Sequence, residues 1–437
     1  MKLGFEIGRI GVYRLFGPVI DEALRQGHEV ECWHDYSHGR VGLKGYQFPS
    51  LSAAPVFAHG RPVLKPYEGL RDLGRLAAGV DAAVAVAGAH AKEKADAMRG
   101  GAKRVVVQHG IDLFHNSTPS QLAAYDLIGM HTAWWLEWAG RYYERQAASW
   151  ARVARDVQRK TAAIGMPALD QRRLVDPREV RRRLGIPASQ PVVVLLPFPG
   201  SINPWSFWVR KIHLEPWRLR RALNSLAHRR LDYWRRAWER SADIDAVKAL
   251  RRFCDRNGAL LLAKWRRKTP LPGYTRALAD RCLDDASDYP ATIMEVLAIA
   301  NLCVGFYSFA VLEAAALGAP YLCLTFTAKE YYDDQAHRWP WFDSIFNAQE
   351  GGLFQYRGVS SAMTISEGIA ALAGMRLADF TTDADARGRY VATYVGAADG
   401  TSSSRLLAAI GRVVGGDQGD GRSPMTSPGE VAVDASR

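Results

Sequence analysis

The feature that most constrains this chain is an alternation of short apolar runs with longer helical stretches. It begins at the first residues and starts again near the middle. Residues 3–7 read as a strand, Gly8 and Gly11 as its loop, about 16–26 as a helix, and 29–33 as a second strand. Gly27 fits the left-handed residue that closes helices. Residues 82–87 and 104–108 continue the pattern, each followed by a polar or glycine-rich turn. The series restarts after Pro191 with 192–196, 260–263, 302–305 and 321–324. Strands that alternate with helices imply a parallel sheet covered on both faces. Two such series imply two α/β domains facing each other across a cleft. The expected bounds are 1–175, a proline-flanked charged linker 176–187, 188–395 with an irregular insertion 203–245, a closing helix 396–414, and a tail 415–437 without fixed structure.

Composition removes several classes. Apolar residues make up 48% and charged residues 23% of 437, which fits a globular chain and excludes a mainly disordered or collagenous one. The first residues lack the apolar core of a secretory signal. The long uncharged stretch 184–209 is cut by Pro187, Pro191, Pro197, Pro199 and Pro204, so no membrane span is expected. The five cysteines form no C-x-x-C pair and read as buried apolar residues in a reducing compartment. Neither D-x-D pair, at 243–245 and 383–385, follows an expected strand, and no zinc spacing occurs. No metal is expected.

In open α/β sheets ligands bind beyond the carboxyl ends of the strands. His109, in Gln108-His109-Gly110-Ile111-Asp112, follows such a strand and suits a general base, with Asp112 beside it. Lys264 and Arg266 follow another and suit a diphosphate, while Arg267 and Lys268 read as solvated. Ser308 precedes a helix expected to open at about Phe309, where free amides attract anions, and Glu313 lies in its first turns. Gly200 and Ser201, and the Gly8 and Gly11 loop, are further places where backbone can approach a phosphate. Each has a plain structural counterpart: a loop-capping histidine, a solvated charge run, a glutamate that complements a helix dipole.

The order of these pieces resembles the two-Rossmann-domain architecture of glycosyltransferases called GT-B. Glu313-Ala314-Ala315-x-x-Gly318-x-Pro320 resembles its donor-site signature, and Gly165-Met166-Pro167 the turn that closes the first domain. Gln108-His109-Gly110, Tyr289-Pro290 and the run from Ala398 to Arg405 resemble CDP-glycerol glycerophosphotransferases and related polysaccharide-synthesis enzymes. The resemblance implies His109 near the reacting centre, with Lys264, Tyr289, Ser308 and Glu313 as donor contacts. It also implies a nucleotide-activated donor as substrate, no cofactor, no metal, and a lipid-linked or polysaccharide acceptor. Phe306-Tyr307-Ser308-Phe309 and Trp265 stand where the glycerophosphotransferases carry an acidic residue and a histidine, so sugar and glycerol phosphate both remain open as the transferred group.

The net charge of +12 is concentrated. Residues 210–240 hold ten basic and three acidic residues, a net of +7, with leucines and tryptophans on one helical face and arginines opposite. Such a helix suits the inner face of an anionic membrane, or packs its apolar face on the domain. Nucleic acid ranks last, since no recognition motif is visible. The leading expectation is a cytoplasmic, metal-independent GT-B-type transferase. The alternatives are a sugar-nucleotide epimerase on the same architecture, which needs several carboxylates at the cleft (Glu6, Asp112 and Glu313 are the candidates), and a non-enzymatic basic binding module.

Overall fold

The computed structural model describes residues 1–36, 54–86, 91–110, 119–144, 148–196, 242–265, 271, 273–283, 288–305, 308–325 and 351–416. Asp112, Gly200, Ser201, Arg266, the segment 210–240 and the tail beyond 416 lie outside the described residues.

The strands are β1 Lys2–Ile7, β2 Glu29–Asp35, β3 Val63–Tyr67, β4 Ala82–Val86, β5 Lys103–Val107, β6 Leu127–Met130, β7 Thr161–Ala163, β8 Val192–Leu196, β9 Leu260–Lys264, β10 Arg281–Leu283, β11 Leu302–Gly305, β12 Tyr321–Thr325 and β13 Ser360–Thr364. They form two sheets, in the orders β3-β2-β1-β4-β5-β6-β7 and β10-β9-β8-β11-β12-β13. Every pairing in both is parallel. All strand ends that precede a helix therefore lie on one edge of each sheet. The helices that bear on the site are α1 Tyr13–Arg25, α2 Ala133–Glu144, α3 Ala242–Arg256, α4 Thr292–Ala298, α5 Ala310–Leu317, α6 Ala384–Tyr394 and α7 Ser402–Val414.

The apolar runs are continuous because both faces of each sheet are covered. In β8, Val192 and Val194 face one cluster with α4 and α5, while Val193 and Leu195 face another with α3. In β1, Leu3, Phe5 and Ile7 pack with Phe16 and Ile20 of α1 and with Leu406, Leu407 and Ile410 of α7. The last described helix thus follows the second domain in the chain but completes the core of the first.

The eight expected strands match to within two residues. Five went unread: β3, β6, β7, β10 and β13. Of these, β3, β7, β10 and β13 are outermost or short and carry exposed or half-buried residues. Pro66 lies within β3, where an edge tolerates the missing N–H. Helix α1 begins at Tyr13, earlier than expected, with Pro18 inside it. Gly27 does take the left-handed conformation, at φ 76°, that closes this helix.

Candidate active site

The site is built where the carboxyl edges of the two sheets approach. On the first domain, β5 leads into Gln108-His109-Gly110. Gln108 is buried, and its amide nitrogen donates to the Gly110 carbonyl at 3.0 Å while its side-chain oxygen accepts from the His131 amide at 2.9 Å. One side chain therefore braces the loop on both sides of His109, which stays half-buried. Gly110 faces the second domain: a Cβ there would sit 3.3 Å from the Phe309 ring. That approach needs glycine. Phe309 precedes α5 and lies 6.4 Å from Trp135 of α2, centroid to centroid.

Glu313 lies one turn into α5 and is fully buried. Its Oε1 accepts from the Arg14 guanidinium of α1, an ion pair that crosses between the domains. Its Oε2 has no hydrogen-bond partner among the described residues. Arg14 is itself fixed through its backbone. Pro18 has no N–H to give to the carbonyl of Arg14, four residues earlier. The side-chain amide of Gln171 donates there instead, at 2.7 Å, and its oxygen accepts from the Ala291 amide of the second domain, also at 2.7 Å. A proline that would ordinarily weaken the helix thus creates an anchoring point between domains.

Other expected residues lie at strand ends or along this seam. Ser308 is half-buried, and its hydroxyl accepts from the Ala310 amide at 3.3 Å, capping the start of α5. Lys264 ends β9 as expected but is buried, its ammonium donating to the Trp265 carbonyl at 3.1 Å. Gly11 faces Asp288 of the second domain, 3.9 Å from where a Cβ would be. Gly8 adjoins the Glu6 carboxylate, with only 2.8 Å between a Cβ and Oε1. Tyr289 packs its ring against Gly17 and Phe57 and donates its hydroxyl to Asp21 at 3.0 Å. Both ends of Tyr289 are taken up by the first domain, so it sits in the seam rather than beside Ser308. Burial, then the Asp21 charge, pushes its phenol well above the usual range.

A group of polar residues gathers at this edge, of which the sequence reading named Glu6 but neither Tyr67 nor His131. Glu6, buried at the end of β1, accepts from the Tyr67 hydroxyl at 2.7 Å and from Lys94 at 2.8 Å. Burial first, then the charges of Glu6 and Asp35, pushes the Tyr67 phenol far up. His131, at the end of β6, is buried with neither ring nitrogen paired among the described residues. Burial pushes its imidazole down to about 3, the hydrogen bond with Gln108 opposing and the neighbouring His109 adding to the fall. The one available signal for these was position: each falls at or just past the end of a parallel strand. Among the described residues no group of three or more His, Cys, Asp or Glu could hold a metal ion. No helix among them is long and apolar enough to cross a membrane.

No protein-family model matches the chain, and no curated protein matches it in sequence. Solved structures do share its fold. The wall teichoic acid polymerase TagF aligns with a TM-score of 0.56 at 10% identity, over 95% of this chain and 89% of that one. S. aureus MnaA, solved with UDP, aligns at 0.51 and 11% identity, over 95% of this chain and 97% of that one. A UDP-N-acetylglucosamine 2-epimerase aligns at 0.50 and 13%, over 96% of this chain and 97% of that one. Such identities carry the fold alone, and that fold is the two-domain GT-B architecture.

Proposed function

We propose that this protein is a GT-B-type transferase that moves a sugar, or glycerol phosphate, from a nucleotide-activated donor to a polysaccharide or lipid-linked acceptor. The observation that carries this reading is the convergence of His109-Gly110 with Phe309 and the start of α5, where the carboxyl edges of the two sheets meet. A base on one domain then faces a helix terminus and a buried carboxylate on the other. Similar structures include one solved with UDP and one soaked with CDPG, which supports a nucleotide in the equivalent space.

In the proposed reaction the His109 imidazole takes the proton of an acceptor hydroxyl. The acceptor oxygen bonds to the anomeric carbon, or to phosphorus if glycerol phosphate is transferred. The bond from that atom to the nucleotide's leaving oxygen breaks, and the nucleotide departs with the electron pair. In this scheme the α5 terminus and Lys264 stabilise the charge that develops, with Arg266 the next cation in sequence. Such general base catalysis contributes on the order of 10²–10⁴-fold. His109→Ala should therefore slow release of free nucleotide from the donor by about that factor while donor affinity holds. Unchanged turnover overturns the role.

The epimerase reading has one specific observation in its favour: Asp35, which the sequence reading did not name, joins the expected Glu6 at Tyr67 as a second buried carboxylate of the first domain. Running the reaction in D₂O separates the two. Deuterium appearing in recovered sugar nucleotide marks an epimerase, and net nucleotide release that depends on acceptor marks a transferase. The reading does not depend on membrane contact by the segment 210–240.

A further inference from the structure

One carboxylate at the site is only half satisfied. Glu313 has Oε1 paired with Arg14 and Oε2 buried without a hydrogen-bond partner among the described residues. A buried acceptor left unmade is costly, so a hydroxyl that reached Oε2 would be bound strongly. In the closed arrangement Arg14 is held beside its partner. Its backbone carbonyl is held by Gln171, which also holds the Ala291 amide at the start of α4. Nearby, Tyr289 fastens α1 to the second domain again through Asp21. The guanidinium is thus aimed across the seam by contacts independent of Glu313.

We infer that Arg14 is a positioning residue, supplied by the first domain, that completes a receptor for a vicinal diol on the second. It fixes the Glu313 carboxylate by one oxygen and leaves the other to accept from the ribose hydroxyls of a nucleotide, provided the site takes a nucleotide as proposed above. Glu313 has no exposed surface in this arrangement, so the diol enters with the domains apart and Arg14 closes over it. Recognition of the ribose is therefore coupled to domain closure. Arg14 touches neither the reacting atoms nor the donor phosphates in this scheme; it acts through Glu313.

The test is calorimetric binding of UDP and CDP, and of their 2′,3′-dideoxy counterparts, to the full-length protein and to Arg14→Gln and Arg14→Lys. Circular dichroism confirms that each variant is folded. The wild type should prefer the ribonucleotides. Arg14→Gln should lose about tenfold or more of its ribonucleotide affinity, as expected for a charge-assisted hydrogen bond. Its affinity for the dideoxy compounds should stay nearly unchanged, so that the preference collapses, and Arg14→Lys should restore part of it. A purely structural role would weaken both ligand sets equally, and that result overturns the assignment. So does ribonucleotide binding by Arg14→Gln that is unchanged or tighter, or a wild type that binds both ligand sets alike. A wild type that binds neither UDP nor CDP removes the nucleotide reading itself, and the assignment with it.

Discussion

An imidazole with two buried nitrogens that find no partner is an expensive residue to keep, and among the described residues His131 is such a residue. Its cost has a pH signature. The unfolded chain takes up a proton on this ring near pH 6.5, whereas the fold refuses it until about 3. Stability contributed by the neutral ring is complete above pH 6.5 and is lost as pH falls toward 3. His131→Leu should therefore show a flatter decline in melting temperature across that window than the wild type. Equal slopes would contradict a neutral, buried His131. His109, Ser308 and Glu313 were legible in the sequence because each follows an apolar run that ends at the cleft. Arg14 and Gln171 were not. Their roles depend on contacts 299 and 157 residues apart in the chain, which no local pattern encodes.

At the scale of elements, α7 is the piece that closes the molecule. Asp170, buried just after the Gly165-Met166-Pro167 turn, accepts from the Ser402 and Ser403 amides at 3.2 and 2.6 Å. A carboxylate at a helix N-terminus satisfies free amides and complements the dipole. Arg405 adds a bond to the Ile164 carbonyl, tying the same helix to the first domain, and pairs with Asp399 just before the helix. Asp170→Ala leaves two amides without their acceptor and should cost about 2 kcal/mol by urea unfolding. A change under ~0.5 kcal/mol would show that the core contacts of Leu406, Leu407 and Ile410 suffice without the cap. The run from Ala398 to Arg405, read from sequence as a family resemblance, therefore has a mechanical role: it seats the closing helix. Strands such as β8 and β11, buried on both faces, could be read directly from their unbroken apolar runs, whereas β6, equally buried, was missed. Edge strands such as β3 and β13 could not, because one face meets solvent and the code is diluted by Lys65, Pro66, Ser360 and Ser361.

At the scale of the whole molecule, two parallel sheets present their carboxyl edges to one another and α1 lies along the seam between them. The basic charge that dominates the composition is concentrated in 210–240, outside the described residues, so the account of the site rests on the seam. Its central claim is that the seam takes a nucleotide-linked donor. A ligand that binds only the folded state raises the melting temperature in proportion to its occupancy, about 2.7 kcal/mol of stabilisation at one hundred times its dissociation constant. The most direct measurement is a thermal-shift titration of the wild type and Glu313→Gln with UDP-, CDP-, GDP- and TDP-linked donors. The account predicts a saturable rise for at least one of the four with the wild type, reduced in Glu313→Gln. No rise with any of them would contradict it.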